Sequence, residues 1–120
     1  MFTRVSRLFV TIDFMPDESY SHEGSGLMYS QYIFQFSFAA TATTIVSGAV
    51  AMRLRFFIYC AYSIYAVVAY AFVAHWVWAE NGWLRTMGVY DFAGGGPVHL
   101  LGGTSALIAV KFVGPRTGYF

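Results

Sequence analysis

Residues 74–99 read AHWVWAENGWLRTMGVYDFAGGGPVH, and the reading of this stretch decides the fold. Its left end closes one long apolar segment and its right end opens another. Between them lies a short polar loop. The stretch holds all three tryptophans, two of the three histidines and an aspartate that opens a glycine run. A polar patch this dense between two membrane-length segments is where function is to be sought.

Working outward, the apolar residues concentrate in three runs, at about 32–52, 56–78 and 92–113. At 1.5 Å per residue, runs of about 20 residues cross a hydrocarbon layer about 30 Å thick. Isolated strands would leave their backbone unsatisfied in lipid, so the runs are helices. Core helices of a soluble protein are the alternative, but the runs carry almost no charge. The whole chain of 120 residues is 58% hydrophobic and 11% charged, whereas soluble domains are about a quarter charged. The expectation is an all-α membrane protein with three transmembrane helices. A net charge of +1 offers no basic face for nucleic acid. Residues 1–30 hold most of the acids and are expected to form an extramembrane arm, partly disordered. His22 reads there as a solvated surface residue. The start of the chain does not resemble a cleavable signal peptide. Cys60 has no partner for an internal disulfide and reads as inert packing.

In the first run, Phe34, Phe38, Thr41 and Ile45 share one helical face, and Ala40, Thr44, Ser47 and Gly48 share another. Small residues allow close helix approach in lipid, so this helix should have neighbours on more than one side. Met52–Arg55 forms a tight basic turn. The second run is rich in tyrosine and ends in Trp76 and Trp78, which suit an aromatic belt. Asn81-Gly82 marks a turn. Arg53 and Arg55 in the first loop, with Lys111 and Arg116 at the far end of the third run, place that side in the cytoplasm. The N-terminus and the loop before Asp91 are then outside; Arg4 and Arg7 count against this.

Four residues could carry chemistry. Asp91 precedes a helix, where a carboxylate accepts backbone N–H bonds and meets the helix dipole; it could also attract cations to a pathway mouth. His99 lies among Gly95, Gly102, Gly103 and Ala106 at helical spacing. An ionisable group at membrane depth is a candidate functional site, against the alternative of a structural histidine bonded to a carbonyl. Phe38 and Trp78 lie near the outer ends of their helices, where a ring face can hold a cation; singly, each reads equally as core or belt. His75 reads as an interfacial residue. No catalytic grouping, metal spacing or phosphate loop is visible, so neither an enzyme nor a cofactor is expected. Haem ligation would need a second histidine at matching depth.

DFAGGGPVHLLGGTSALIAVKFVGPRTGYF is similar to the DFAGxxxVHxxxGxxALxxxxxxGPRxGRF block of the ammonium transporter family (Amt/Mep/Rh type), in particular its Amt branch. FQFSFAATATTIVSGAVAMRLRF resembles the family's FQxxFAxxxxxxxxGAxAERxxF helix, and AHWVWAENGWL its approach to the outer vestibule. The resemblance covers roughly residues 34–120. It implies that Phe38 and Trp78 are vestibule aromatics holding ammonium, that Asp91 structures the recruitment site, and that His99 is the first of two pore histidines. It also implies an eleven-helix fold of two inverted halves, assembled as trimers, of which this chain supplies only the third to fifth helices. Met52 stands where the family has Glu. Pro97 stands where an apolar β-branched residue is usual, removing one helix N–H two residues before His99.

The function expected is thus ammonium transport across a membrane, by an incomplete member that is not active alone. Its partners would be ammonium or ammonia, lipid, and copies of itself or full-length relatives. Its place would be the plasma membrane. The alternatives are a non-transporting membrane interaction protein, packing through small faces around Gly48 and Gly102/Gly103, or a degenerate fragment.

Overall fold

The structure, a computed structural model, describes residues 22–116 and 118. The greater part of the expected arm, residues 1–21, lies outside the described residues. Helix α1 spans His22–Val50 and α2 spans Phe56–Trp78. The short α3, Trp83–Thr86, follows. A π-helical turn, Gly95–Leu100, runs directly into α4, Leu101–Val113. Among the described residues there is no strand. Three segments, Tyr29–Val50, Phe56–Thr86 and Gly95–Val113, are long and apolar enough to cross a membrane.

Helix α1 starts at His22 rather than near residue 32, so its first turns precede the apolar run. It packs against both α2 and α4, the two-sided neighbourhood its small residues suggest. The buried face is neither of those picked out by spacing. It is the stripe Gln35, Ala39, Ala42, Val46 and Val50, while Phe34 is exposed and Phe38 only partly buried. The hydroxyls of α1 are neutralised locally. Thr43 Oγ1 donates to the Ala39 carbonyl at 2.9 Å. Ser37, Thr41, Thr44 and Ser47 likewise bond carbonyls three or four residues back. That back-bonding lets polar side chains sit in a lipid-spanning helix without orphaned groups.

Two features fix the bundle. At Gly102 a Cβ would stand 2.9 Å from Ile45 Cδ1 and 3.0 Å from the Ala42 carbonyl oxygen, so only glycine lets α4 approach α1 this closely. Gly102 therefore uses its bare face inside the chain, on α1, whereas Gly48 and Gly103 face open space. Across the other seam, buried Tyr70 on α2 donates its hydroxyl to Gln35 Oε1 on α1 at 2.7 Å. Ala39, Ala42, Tyr70, Ala74 and Val98 make the core, with Phe38, Ile45, Trp78 and Leu101 against it.

At one end of the bundle the chain turns from α1 into α2 through Met52, whose φ is 61°. That left-handed conformation is costly for a side-chain-bearing residue. The neighbouring Arg53 reaches across to the end of α4, where its Nη1 donates to the Gly114 carbonyl at 3.0 Å. Its Nε is buried without a partner.

Candidate functional site

The other end of the bundle carries the residues singled out by sequence. Trp78 closes α2, and its ring stacks on Phe38 of α1 with centroids 5.7 Å apart and planes 26° from parallel. Phe34, one turn earlier on α1, leans on Phe38 at 4.5 Å. The spacing is within the usual range for attractive aromatic pairs. The indole is fixed at its edge as well: Trp78 Nε1 donates to the Asp91 carbonyl at 2.9 Å. Its own carbonyl, orphaned at the end of α2, accepts from Arg85 Nη1 at 2.7 Å.

The Asp91 carboxylate organises the start of the next helix. Oδ1 accepts from the Gly94 N–H at 2.6 Å and the Gly95 N–H at 3.1 Å. Oδ2 accepts from the Gly96 N–H at 2.6 Å. These are donors that a helix start leaves without intrahelical partners. Burial pushes the Asp91 carboxyl up, but the backbone N–H groups of Gly96, Gly94, Gly95 and Ala93 outweigh it and hold the pKa below its ordinary value. Gly94 turns the chain with φ 87°; a Cβ there would lie 2.9 Å from Val98 Cγ2 and 3.5 Å from the Trp78 ring. Glycine is needed on both counts.

Pro97 comes next and has no N–H to satisfy. The hydrogen-bond ladder resumes immediately after it, with Val98 and His99 N–H both donating to the Gly94 carbonyl at 3.1 Å. The proline thus occupies the first turn, where a missing donor costs nothing, and the helix continues unbroken. The bond from His99 spans five residues, which makes this turn π-helical, a local form frequent at functional sites. Such a turn rotates the residues it carries relative to a plain α-helix. Pro97 and Val98 are buried toward α1 and α2, and His99 and Leu100 are exposed on the outer side.

The structure therefore brings Phe38, Trp78 and Asp91 into one connected group. His99 stands eight residues along the chain from Asp91, in the same turn as the glycines, and is exposed. Sequence reasoning passed over Gln35 and Tyr70, the buried pair beneath Phe38. A signal existed, because a glutamine inside a lipid-spanning run requires a partner on another helix.

Three helices long and apolar enough to cross a membrane, with an aromatic pair and a capped glycine run at one end, define a polytopic membrane protein. The particular family is shown by comparison. A model of the Ammonium Transporter Family matches residues 2–120, and the chain belongs to that family. The match reaches further toward the N-terminus than the motifs of 34–120. Among curated relatives, ammonium transporter 3 of Dictyostelium discoideum is 42% identical over 93 residues, covering 77% of this chain and 22% of that protein. Ammonium transporter Amt2 of Archaeoglobus fulgidus is 42% identical over 118 residues, covering 89% of this chain and 24% of its own length. Ammonium transporter 1 member 3 of Oryza sativa is 36% identical over 127 residues, covering 97% and 24%. The chain thus spans about a quarter or less of these relatives. No solved structure matches significantly.

Proposed function

We propose that this chain forms one wall of an ammonium pathway and does not conduct alone. The observation that carries the reading is the Phe38–Trp78 pair, stacked 5.7 Å apart and tied by the indole N–H to Asp91. An aromatic face held in place can take an ammonium ion by cation–π attraction, about 0.5–2 kcal/mol and more where water is excluded. Asp91 adds a fixed negative charge beside it, while its hydrogen bonds keep the carboxylate ionised and the glycine run in shape. Crossing the membrane as a bare ion would be prohibitively costly, so the pathway favours a neutral species past this point. His99 supplies a hydrogen-bonding group at membrane depth for such a species. Its exposure in a three-helix unit suits a residue waiting for a second wall, contributed by further helices or by another chain.

The chain would sit in the plasma membrane with the Met52–Arg55 turn on the cytoplasmic side. There it would associate with copies of itself as trimers, or with longer relatives.

Two measurements test this. Expressed in cells lacking ammonium uptake, the chain alone should not restore growth on low ammonium; restored growth would show that three helices suffice. In detergent, ammonium chloride should perturb the tryptophan emission more than sodium chloride at equal ionic strength, and Phe38→Ala should abolish the difference. An equal response to both salts would remove the recruitment role.

A further inference from the structure

The segment after α2 folds back on the end of that helix. At Gly82 a Cβ would collide with the carbonyl groups of His75 and Trp76, so the chain doubles back hard against the last turn of α2. Gly82 N–H bonds the Ala79 carbonyl at 3.0 Å, which makes the reversal. Helix α3 then lies over that end, with Trp83 meeting Trp76 edge-on at 6.0 Å. Arg85 anchors it to the Trp78 carbonyl.

The segment's surface is too apolar for a loop in open water. Trp83 is 52% exposed, Met87 72%, Tyr90 84% and Phe92 87%. Its backbone is nonetheless largely closed on itself. Thr86 N–H bonds the Gly82 carbonyl at 2.9 Å, Met87 that of Trp83 at 3.1 Å and Val89 that of Leu84 at 3.0 Å. A segment with internal hydrogen bonds and outward aromatic rings meets both demands of the headgroup layer, where amphipathic rings accumulate and unpaired backbone groups are costly.

We propose that residues 83–92 form a membrane-surface anchor embedded in the lipid headgroup layer where α2 ends. The occupant of this surface is lipid rather than a protein partner, because the patch continues the exposed face of Trp76 on a membrane-spanning helix. Through Arg85 and the Trp78–Asp91 bond, the anchor fixes the depth of the aromatic pair. The inference does not depend on what the pair binds.

The test uses the full chain reconstituted in phosphatidylcholine vesicles carrying bromine either near the headgroup or near the chain end. The emission lost in Trp83→Phe, obtained by difference, should be quenched roughly twofold more by the shallow bromine than by the deep one, and only weakly by aqueous iodide. Strong iodide quenching would place the segment in water. Quenching by none of the three would mean that protein covers it; either result overturns the anchor. A spin label at Met87→Cys, in a Cys60→Ser background, gives a check independent of tryptophan. Its relaxation should respond to oxygen more than to a water-soluble nickel complex, and the reverse order also overturns the proposal.

Discussion

The two ends of this helical bundle are built to different standards. At the Trp78–Asp91 end, three successive glycine N–H groups meet one carboxylate. The proline that follows has no donor to orphan, and the indole N–H meets a carbonyl. At the Met52–Gly114 end, a methionine sits at φ 61° and a buried guanidinium nitrogen has no partner. Satisfied polar groups in a low-dielectric setting specify one geometry, whereas partly satisfied ones leave the local structure under tension. The contrast teaches that the fully satisfied polar groups gather at the end that carries Phe38, Trp78 and Asp91. The opposite turn merely has to reverse the chain.

The contrast can be broken most forcefully at Gly94. Gly94→Val should destabilise the chain by about 3 kcal/mol, combining left-handed strain with overpacking against Val98. The loss should register as an earlier thermal unfolding midpoint in mild detergent. It should also bring a changed near-ultraviolet tryptophan signal, since the same Cβ position borders the Trp78 ring.

Asp91→Asn should cost less, about 1–3 kcal/mol at neutral pH, because the amide accepts at one oxygen only. Acid distinguishes the two chains further. The Asp91 pKa is lower folded than unfolded, so its stabilisation is complete above the ordinary carboxylate value of about 4 and is lost as pH falls below it. The midpoint of the parent chain should therefore drop more steeply than that of the variant on acidification. Parallel curves would mean that the cap contributes no net stability.

The smallest effect sharpens the contrast from the other end. Met52→Gly should relieve the left-handed residue and stabilise by about 1 kcal/mol, offset in part by the greater freedom of glycine in the unfolded chain. An unchanged or lowered midpoint would show that the turn is not strained.

Much of this architecture was legible in the residues. Helix number follows from three nearly uncharged runs matched to bilayer thickness, and Asp91 announces itself as a cap by standing ahead of glycines. The packing faces were not legible, for a physical reason. Lipid and protein interior are equally apolar, so Phe34 and Ala39 carry no periodic signal saying which one turns inward. Small size was the better guide, as Ala39, Ala42 and Gly102 show. The early start of α1 escaped because its first turns are too polar to belong to an apolar run. The π turn escaped because no side-chain pattern encodes one extra residue in a helical turn. Within this turn Pro97 and Val98 are buried and His99 is exposed.

The bare face of Gly102 also governs how the molecule can deform. With Ile45 and the Ala42 carbonyl pressed against it, α4 cannot slide along α1 without collision, so those two helices behave as one stave. Helix α2 is pinned to α1 by the Tyr70–Gln35 bond, and Ala66, Tyr70, Ala74 and Val77 are its buried residues. A second bond, from the Tyr59 hydroxyl to the Thr43 carbonyl at 3.3 Å, holds it nearer the Met52 turn, so the three helices keep a fixed spacing.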